Sequence, residues 1–246
     1  MSLDYQRIVL ITGTGQQKGI GFGLAKALLA QEHTVILTAR NESIAHKLAS
    51  QLAPDKNPIF GKSVDTTNQT SVDRLADWVR EHFGRLDILI NAVGSGFDYG
   101  ISPLHTDFAL TQIALETNLF GTWRMIKAFY PLLRQSPSAR IVNVSSGAGS
   151  FSDARFGLSA NPVLMTSYGL SKLALNGLTV QLARELKPDG ILVNAVNPGF
   201  MTTISGAEAA GTHTVSASIE GVMWAATLPD DGPTGGFFED CQLINW

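Results

Sequence analysis

The stretch RIVLITGTGQQKGIGFGLAKALLAQ, residues 7–31, runs from a short apolar segment through a cluster of glycines into leucines and alanines at helical spacing. It predicts a strand, a tight turn and a helix, the unit from which sheets covered on both faces are built. The same alternation continues outward. TVILTA (34–39) precedes the helical pattern SIAHKLASQL, IFGKSV (59–64) precedes SVDRLADWVREHF, and LDILIN (86–91) precedes a long helical segment, LETNLFGTWRMIKAFYPLL. Two more apolar runs, RIVNVS (140–145) and ILVNAV (191–196), follow helical stretches, and a last candidate strand lies near CQLIN. Runs that are apolar along their whole length imply strands buried on both faces. The expected fold is α/β, a doubly wound parallel sheet.

No repeat, low-complexity tract or Pro/Ser-rich linker breaks this alternation, so residues 1–246 are expected to form a single domain. A net charge of −3, with the two signs interspersed, offers no basic face for nucleic acid and no cluster for an anionic membrane. One cysteine, Cys241, rules out an internal disulfide and a thiolate-rich metal site, and the five histidines show no ligand spacing. No metal is expected. The N-terminus lacks the pattern of a signal peptide and no window reaches membrane-helix length, so a cytoplasmic location is expected. The long helix is apolar on more than one face, with Leu115, Leu119 and Ile126 on one side and Met125, Phe129 and Leu132 on another, which fits a sandwiched helix or a subunit contact. Trp123 and Phe129 read as core or interface residues. Ser205 to Ser218 is rich in small residues and reads as a mobile loop beside a cleft.

The glycine turn joins a strand to a helix N-terminus, where free backbone amides and the helix dipole favour a phosphate and side chains would obstruct it. It predicts a dinucleotide site. An acid about 20 residues after the glycines would select NAD through the ribose hydroxyls. Here the second strand ends in Ala39 and Arg40, and Lys18 adds a second cation within the turn. A guanidinium fork suits a 2′-phosphate, so NADP(H) is the expected cofactor, with Arg40 and Lys18 free in solvent as the alternative.

The carboxyl ends of the later strands carry NAVG (91–94), VSSGAG (144–149) and NPGFMTT (197–203), and in open α/β sheets these ends line one crevice. In TSYGLSK (166–172) Tyr168 and Lys172 stand four apart, hence on one face of a helix. With these residues in view, the chain resembles the short-chain dehydrogenase/reductase family over nearly its full length. The resemblance implies a Rossmann fold and a catalytic set of Asn118, Ser146, Tyr168 and Lys172, with Ser146 preferred to Ser145. The family's glycine motif fits in two registers: Thr14 and Gly15 have the right spacing to Gly19, Ile20 and Gly21, whereas Thr12 and Gly13 sit better at the strand end and leave two extra residues. Asp65 and Thr66 fall where the family contacts adenine, Asn91 matches the first residue of its next motif, and Ala92 and Val93 depart from it. Pro198, Gly199 and Thr203 match the segment that holds the nicotinamide amide, which Tyr168 and Lys172 also border. The C-terminal LPDDGPTGGFFEDCQLINW and the LTAR of the second strand look like NADPH-dependent carbonyl reductases.

The expected chemistry is reduction of a ketone or aldehyde with Tyr168 as general acid. An ammonium ~4 Å from the phenol oxygen is worth around 4 kcal/mol at an effective dielectric of 20, which lowers the phenol pKa by about three units before burial opposes it. Ser146 would steady the developing oxyanion, and the resemblance implies a water chain from Asn118 to Lys172. The segment between Ser146 and Tyr168 is longer than the family's usual one and holds Phe151, Phe156, Leu158 and Met165, read either as the roof of a substrate pocket or as packing. Two other readings stand beside the carbonyl reductase: a reductase of 3-oxoacyl thioesters on a carrier protein, and a non-catalytic NADP-binding sensor. A small carbonyl or alcohol is the expected substrate. A homo-oligomer, dimer or tetramer, is expected, and a monomer is compatible.

Overall fold

The computed structural model describes residues 6–52, 58–160, 165–199 and 214–246. The short apolar runs become strands β1 (Ile8–Ile11), β2 (Thr34–Ala39), β3 (Ile59–Ser63), β4 (Ile88–Asn91), β5 (Arg140–Val144) and β6 (Leu192–Val196). Between them lie helices α1 (Ile20–Ala30), α2 (Glu42–Leu52), α3 (Gln69–Phe83), α4 (Phe108–Leu115), α5 (Thr122–Leu133) and α6 (Thr166–Leu186). Helix α7 (Val215–Ala226) and strands β7 (Phe237–Glu239) and β8 (Gln242–Ile244) complete the chain. The strands form one sheet in the order β3-β2-β1-β4-β5-β6-β7-β8. All neighbours pair in parallel except β7 and β8, whose short hairpin closes the edge in antiparallel register.

Alternate side chains of each strand face opposite layers. Leu10, Ile36, Leu89, Ile141 and Val193 point to one side, where α3, α5 and α6 contribute Val72, Phe129 and Leu182 to a shared core. Val9, Ile11, Val35, Ile90, Val142 and Val196 point to the other, against Leu24 and Leu28 of α1, Leu48 of α2 and Val222 of α7. Local signals set the helix ends. Asn68 Oδ1 accepts from the Ser71 N–H at 3.0 Å to start α3, and Gly84, at φ 69°, ends it.

Three expectations change. The long helix is α4 and α5 joined by a π-turn at Glu116–Gly121, with Met125, Ile126, Phe129 and Leu132 all buried in one core and Trp123 exposed. Strand β7 was not anticipated, because its three residues give no period to read. The segment read as a mobile loop is partly helix: Thr214 caps α7 by accepting from the Ala217 N–H at 3.2 Å, while residues 205–213 lie outside the described part. None of the described helices is long and apolar enough to cross a membrane.

Because β1 pairs with β2 on one side and β4 on the other, chain connections leave the sheet in opposite directions at this point. A crevice opens there, outside the carboxyl ends of the strands.

Candidate active site

The crevice has a volume of about 700 Å³. Its floor begins at the glycine turn. Thr12 ties the end of β1 to β4: its N–H donates to the Ile90 carbonyl at 2.9 Å and its hydroxyl oxygen accepts from the Ala92 N–H at 3.1 Å. Gly13 follows at φ 77°, and a Cβ there would lie 2.6 Å from the Ala92 carbonyl oxygen, so no larger residue fits. Thr14 then turns to the other neighbour, with its N–H and hydroxyl donating to the Thr38 carbonyl at 3.1 and 2.8 Å. Both threonines are used, one for each flanking strand, and the two extra residues accommodate the second tie. Thr14 packs where a Cβ on Gly21 would come within 2.8 Å of its methyl group. Gly13, Gly15, Gly19, Ile20 and Gly21 all line the crevice. Gly19 is the N-cap of α1, with no side-chain cap and no acid in the first turn, so the helix's leading amides are left for an anion. These residues fit a pyrophosphate.

At the end of β2, Arg40 lies exposed in the crevice wall, and no hydrogen bond or ion pair engages it among the described residues. Lys18 is exposed on the turn but does not form part of the wall. Asp65 and Thr66 line the wall after β3. The Asp65 carboxylate accepts from the Thr67 N–H and hydroxyl at 3.0 and 2.7 Å, which fixes that corner. Asn91 departs from its expected place as a cofactor residue. It is buried beneath the wall, where its Nδ2 donates to Asn143 Oδ1 at 2.9 Å, and it pins β4 to β5 while Ala92 to Ser95 form the surface. Pro198 lines the crevice, Gly199 (φ 74°) stands just behind it, and Thr203 lies outside the described residues.

Tyr168 and Lys172 are on the first turns of α6 and both line the crevice. The Ser146 hydroxyl is near enough to the Tyr168 phenol to act on its pKa as a hydrogen-bond partner, and its oxygen accepts from the Ala148 N–H at 3.2 Å at the start of a short 3-10 turn. Ser145 lines the crevice but commits its hydroxyl to Asn176 Oδ1 at 2.5 Å, whereas Ser146 lies outside the crevice wall. Lys172 Nζ donates to the Val144 carbonyl at 2.8 Å and sits 5.6 Å from the centre of the Tyr168 ring. The electrostatics differ from expectation. Burial pushes the Tyr168 phenol well above its ordinary value, and the Ser146 hydrogen bond offsets only part of this; burial also lowers Lys172 to about 8. The ammonium is spent on a carbonyl rather than on the phenol, and desolvation dominates both groups.

Asn118 lies in the π-turn, fully buried beneath Thr117, which lines the crevice. Its Nδ2 donates to the Ser95 carbonyl at 2.9 Å and to Ser171 Oγ at 2.8 Å, while its Oδ1 accepts from the Ser95 N–H at 3.0 Å. It joins the loop after β4 to α6. None of Phe151, Phe156, Leu158 and Met165 is part of the crevice wall; Leu158 packs beside Gly169 on α6, and Met165 bridges to Ile101. The aromatic contact comes instead from Phe97, whose ring stacks on Tyr168 at 4.6 Å and 29°, with Tyr99 stacked behind it at 6.2 Å. The signal for this contact in the sequence is GFDYG (96–100), two aromatics between glycines a few residues beyond β4.

The family model for short chain dehydrogenases matches residues 7–212, spanning the glycine turn, the Ser146–Tyr168–Lys172 cluster and Pro198. The chain belongs to the short-chain dehydrogenase family. Members of this family are oxidoreductases that bind a nicotinamide cofactor and act on CH–OH and C=O groups. Within the family, the (+)-neomenthol dehydrogenase of Arabidopsis thaliana is 30% identical over 94% of this chain and 95% of its own. Carbonyl reductase [NADPH] 1 of Rattus norvegicus is 29% identical, covering 95% of this chain and 96% of that one. The crystal structure of NADPH-bound carbonyl reductase from chicken fatty liver superposes with a TM-score of 0.83 at 26% identity, over 98% and 99% of the two chains.

Proposed function

We propose that the chain reduces a ketone or aldehyde to an alcohol with NADPH. The observation that carries this reading is that Tyr168 and Lys172 stand together in the wall of a crevice that also presents an unengaged Arg40, with no acid at the end of β2. Carbonyl-reductase and NADPH-bound relatives support it.

When bound, the dihydronicotinamide supplies hydride to the carbonyl carbon. Gly13, Gly15 and the leading α1 amides at Ile20 and Gly21 would hold its pyrophosphate, Arg40 the 2′-phosphate, Asp65 and Thr66 would border the adenine, and Pro198 the amide end. The Tyr168 hydroxyl gives its proton to the carbonyl oxygen as negative charge grows there. Ser146 donates a hydrogen bond to the same oxygen. Burial that raises the phenol's pKa keeps Tyr168 protonated throughout the neutral range, which is the form reduction needs. Alcohol oxidation would start from the disfavoured phenolate. Lys172, 5.6 Å from the ring centre, offsets the negative charge left on the tyrosine once the proton leaves, and Asn118 holds the surrounding loop. Carrier-bound thioesters fit less well, since the basic residues of the wall are Arg40 and Lys172, both used within the site.

The test follows NADPH consumption with aldehydes, ketones and quinones. Tyr168→Phe is expected to lose roughly 10²–10⁴-fold in kcat while binding NADPH normally; retention of the wild-type rate rejects the assignment. A higher kcat/KM with NADPH than with NADH is expected, and equality removes the role given to Arg40.

A further inference from the structure

Helix α6 begins without a cap of its own: Met165 occupies the N-cap position and its side chain accepts no hydrogen bond. The first N–H groups of a helix have no partner inside it, and this end is buried. Asp98 satisfies them from another segment. Its carboxylate, in a residue only 4% exposed, accepts from the Ser167 N–H at 2.7 Å and from the Tyr168 N–H at 3.2 Å. One oxygen also receives the Thr106 hydroxyl at 3.5 Å.

The loop that carries Asp98 is held at its other end by Asn118, through both the N–H and the carbonyl of Ser95. Between the two anchors Gly96, at φ 78°, passes so close to α4 that a Cβ would lie 2.4 Å from that of Ala114. The loop therefore has one path, and that path lays Phe97 on the Tyr168 ring. The carboxylate holds the backbone of Tyr168 while the adjacent ring holds its side chain.

We infer that Asp98 is a positioning residue for the reaction, fixing Tyr168 by bonding its backbone N–H and by seating Phe97 against its ring. The inference rests on the proposed role of Tyr168 as proton donor. A negatively charged acceptor at a helix start is stronger than a neutral one, and its two oxygens bond two successive amides. An amide side chain has one acceptor, and an alanine has none. Loss of the bond frees the first turn of α6, and with it the direction of the phenol relative to Ser146.

The variants Asp98→Ala and Asp98→Asn test this by two readouts, steady-state kinetics and amide hydrogen exchange in the full chain. The expected result for Asp98→Ala is a fall in kcat of ~10–100-fold, the range for a reacting group displaced by about an ångström. The dissociation constant for NADPH should stay within about twofold, because Asp98 does not line the crevice. Asp98→Asn should keep part of the activity, in proportion to its single acceptor, and both variants should show faster exchange at Ser167 and Tyr168 than wild type. Wild-type kcat in Asp98→Ala overturns the inference, as does unchanged exchange at those two amides. If Asp98→Ala fails to fold, Asp98→Asn decides by the same criteria. A wild-type chain inactive on every carbonyl would overturn the reductase reading instead, and the exchange measurement would still show whether Asp98 holds the start of α6.

Discussion

Tyr168 and Lys172 share one face of one helix turn, and the same burial acts on each in the direction of neutrality. For Lys172 this links charge to stability. Below about pH 8 the folded and unfolded chains both carry the ammonium, and the folded one bears the cost of burying it. As pH rises from about 8 towards the ordinary value of 10.5, the folded chain has shed a proton that the unfolded chain keeps, so stability increases. Above pH ~10 the unfolded tyrosine ionises first and opposes the gain. Wild type is thus expected to gain about 2 kcal/mol relative to Lys172→Met between pH 8 and 10. Urea unfolding of both proteins at the two pH values measures it, and parallel behaviour refutes it. The identity of this pair was legible in the sequence because i and i+4 spacing survives any packing. Its electrostatics were not. A spacing does not say where the amine's hydrogen bond goes, and here it goes to Val144.

The elements that could be read were those whose burial is uniform. Strands β1, β2, β4, β5 and β6 are buried at every residue, so their composition alone marks them. The π-turn could not be read, since one added residue hardly alters the apolar spacing of a long helix. Asn118 was reached by resemblance, and Asp98 by neither route, because its partners are backbone amides 69 and 70 positions away. Such a bond leaves no local pattern. The glycine turn was legible as a class and ambiguous in register, and the structure explains why: Thr12 and Thr14 each belong to a different neighbouring strand. Gly13→Ala is the corresponding test. A left-handed backbone costs an L-residue ~1–2 kcal/mol, and the added methyl also meets the Ala92 backbone. Denaturant unfolding should show a loss of at least ~1 kcal/mol, with NADPH affinity falling by about tenfold or more as the turn shifts away from the pyrophosphate. An unchanged midpoint and affinity would contradict the geometry.

At the scale of the molecule, the sheet brings segments from Gly13 to Pro198 to one edge, so a ligand in the crevice touches most of the fold at once. Binding there should stabilise the whole. At 100 times its dissociation constant NADPH adds ~2.7 kcal/mol, and for a chain of this size that raises Tm by roughly 5–11 °C. Arg40→Ala should reduce the rise obtained at that fixed NADPH concentration and leave the rise with NADH nearly unchanged. Thermal unfolding with each cofactor measures both, and an equal loss for the two would assign Arg40 to something other than the 2′-phosphate.

The π-turn at Glu116–Gly121 carries a further consequence. Deleting a single codon within it would let α4 run into α5 as one regular helix, with a more even ladder of backbone bonds. A π-turn takes up its extra residue within its own wide turn, so α4 and α5 would keep their faces while the side chains inside the turn were re-aimed, and the Asn118 amide could no longer reach Ser95 and Ser171 together. The better-formed helix would belong to the poorer enzyme.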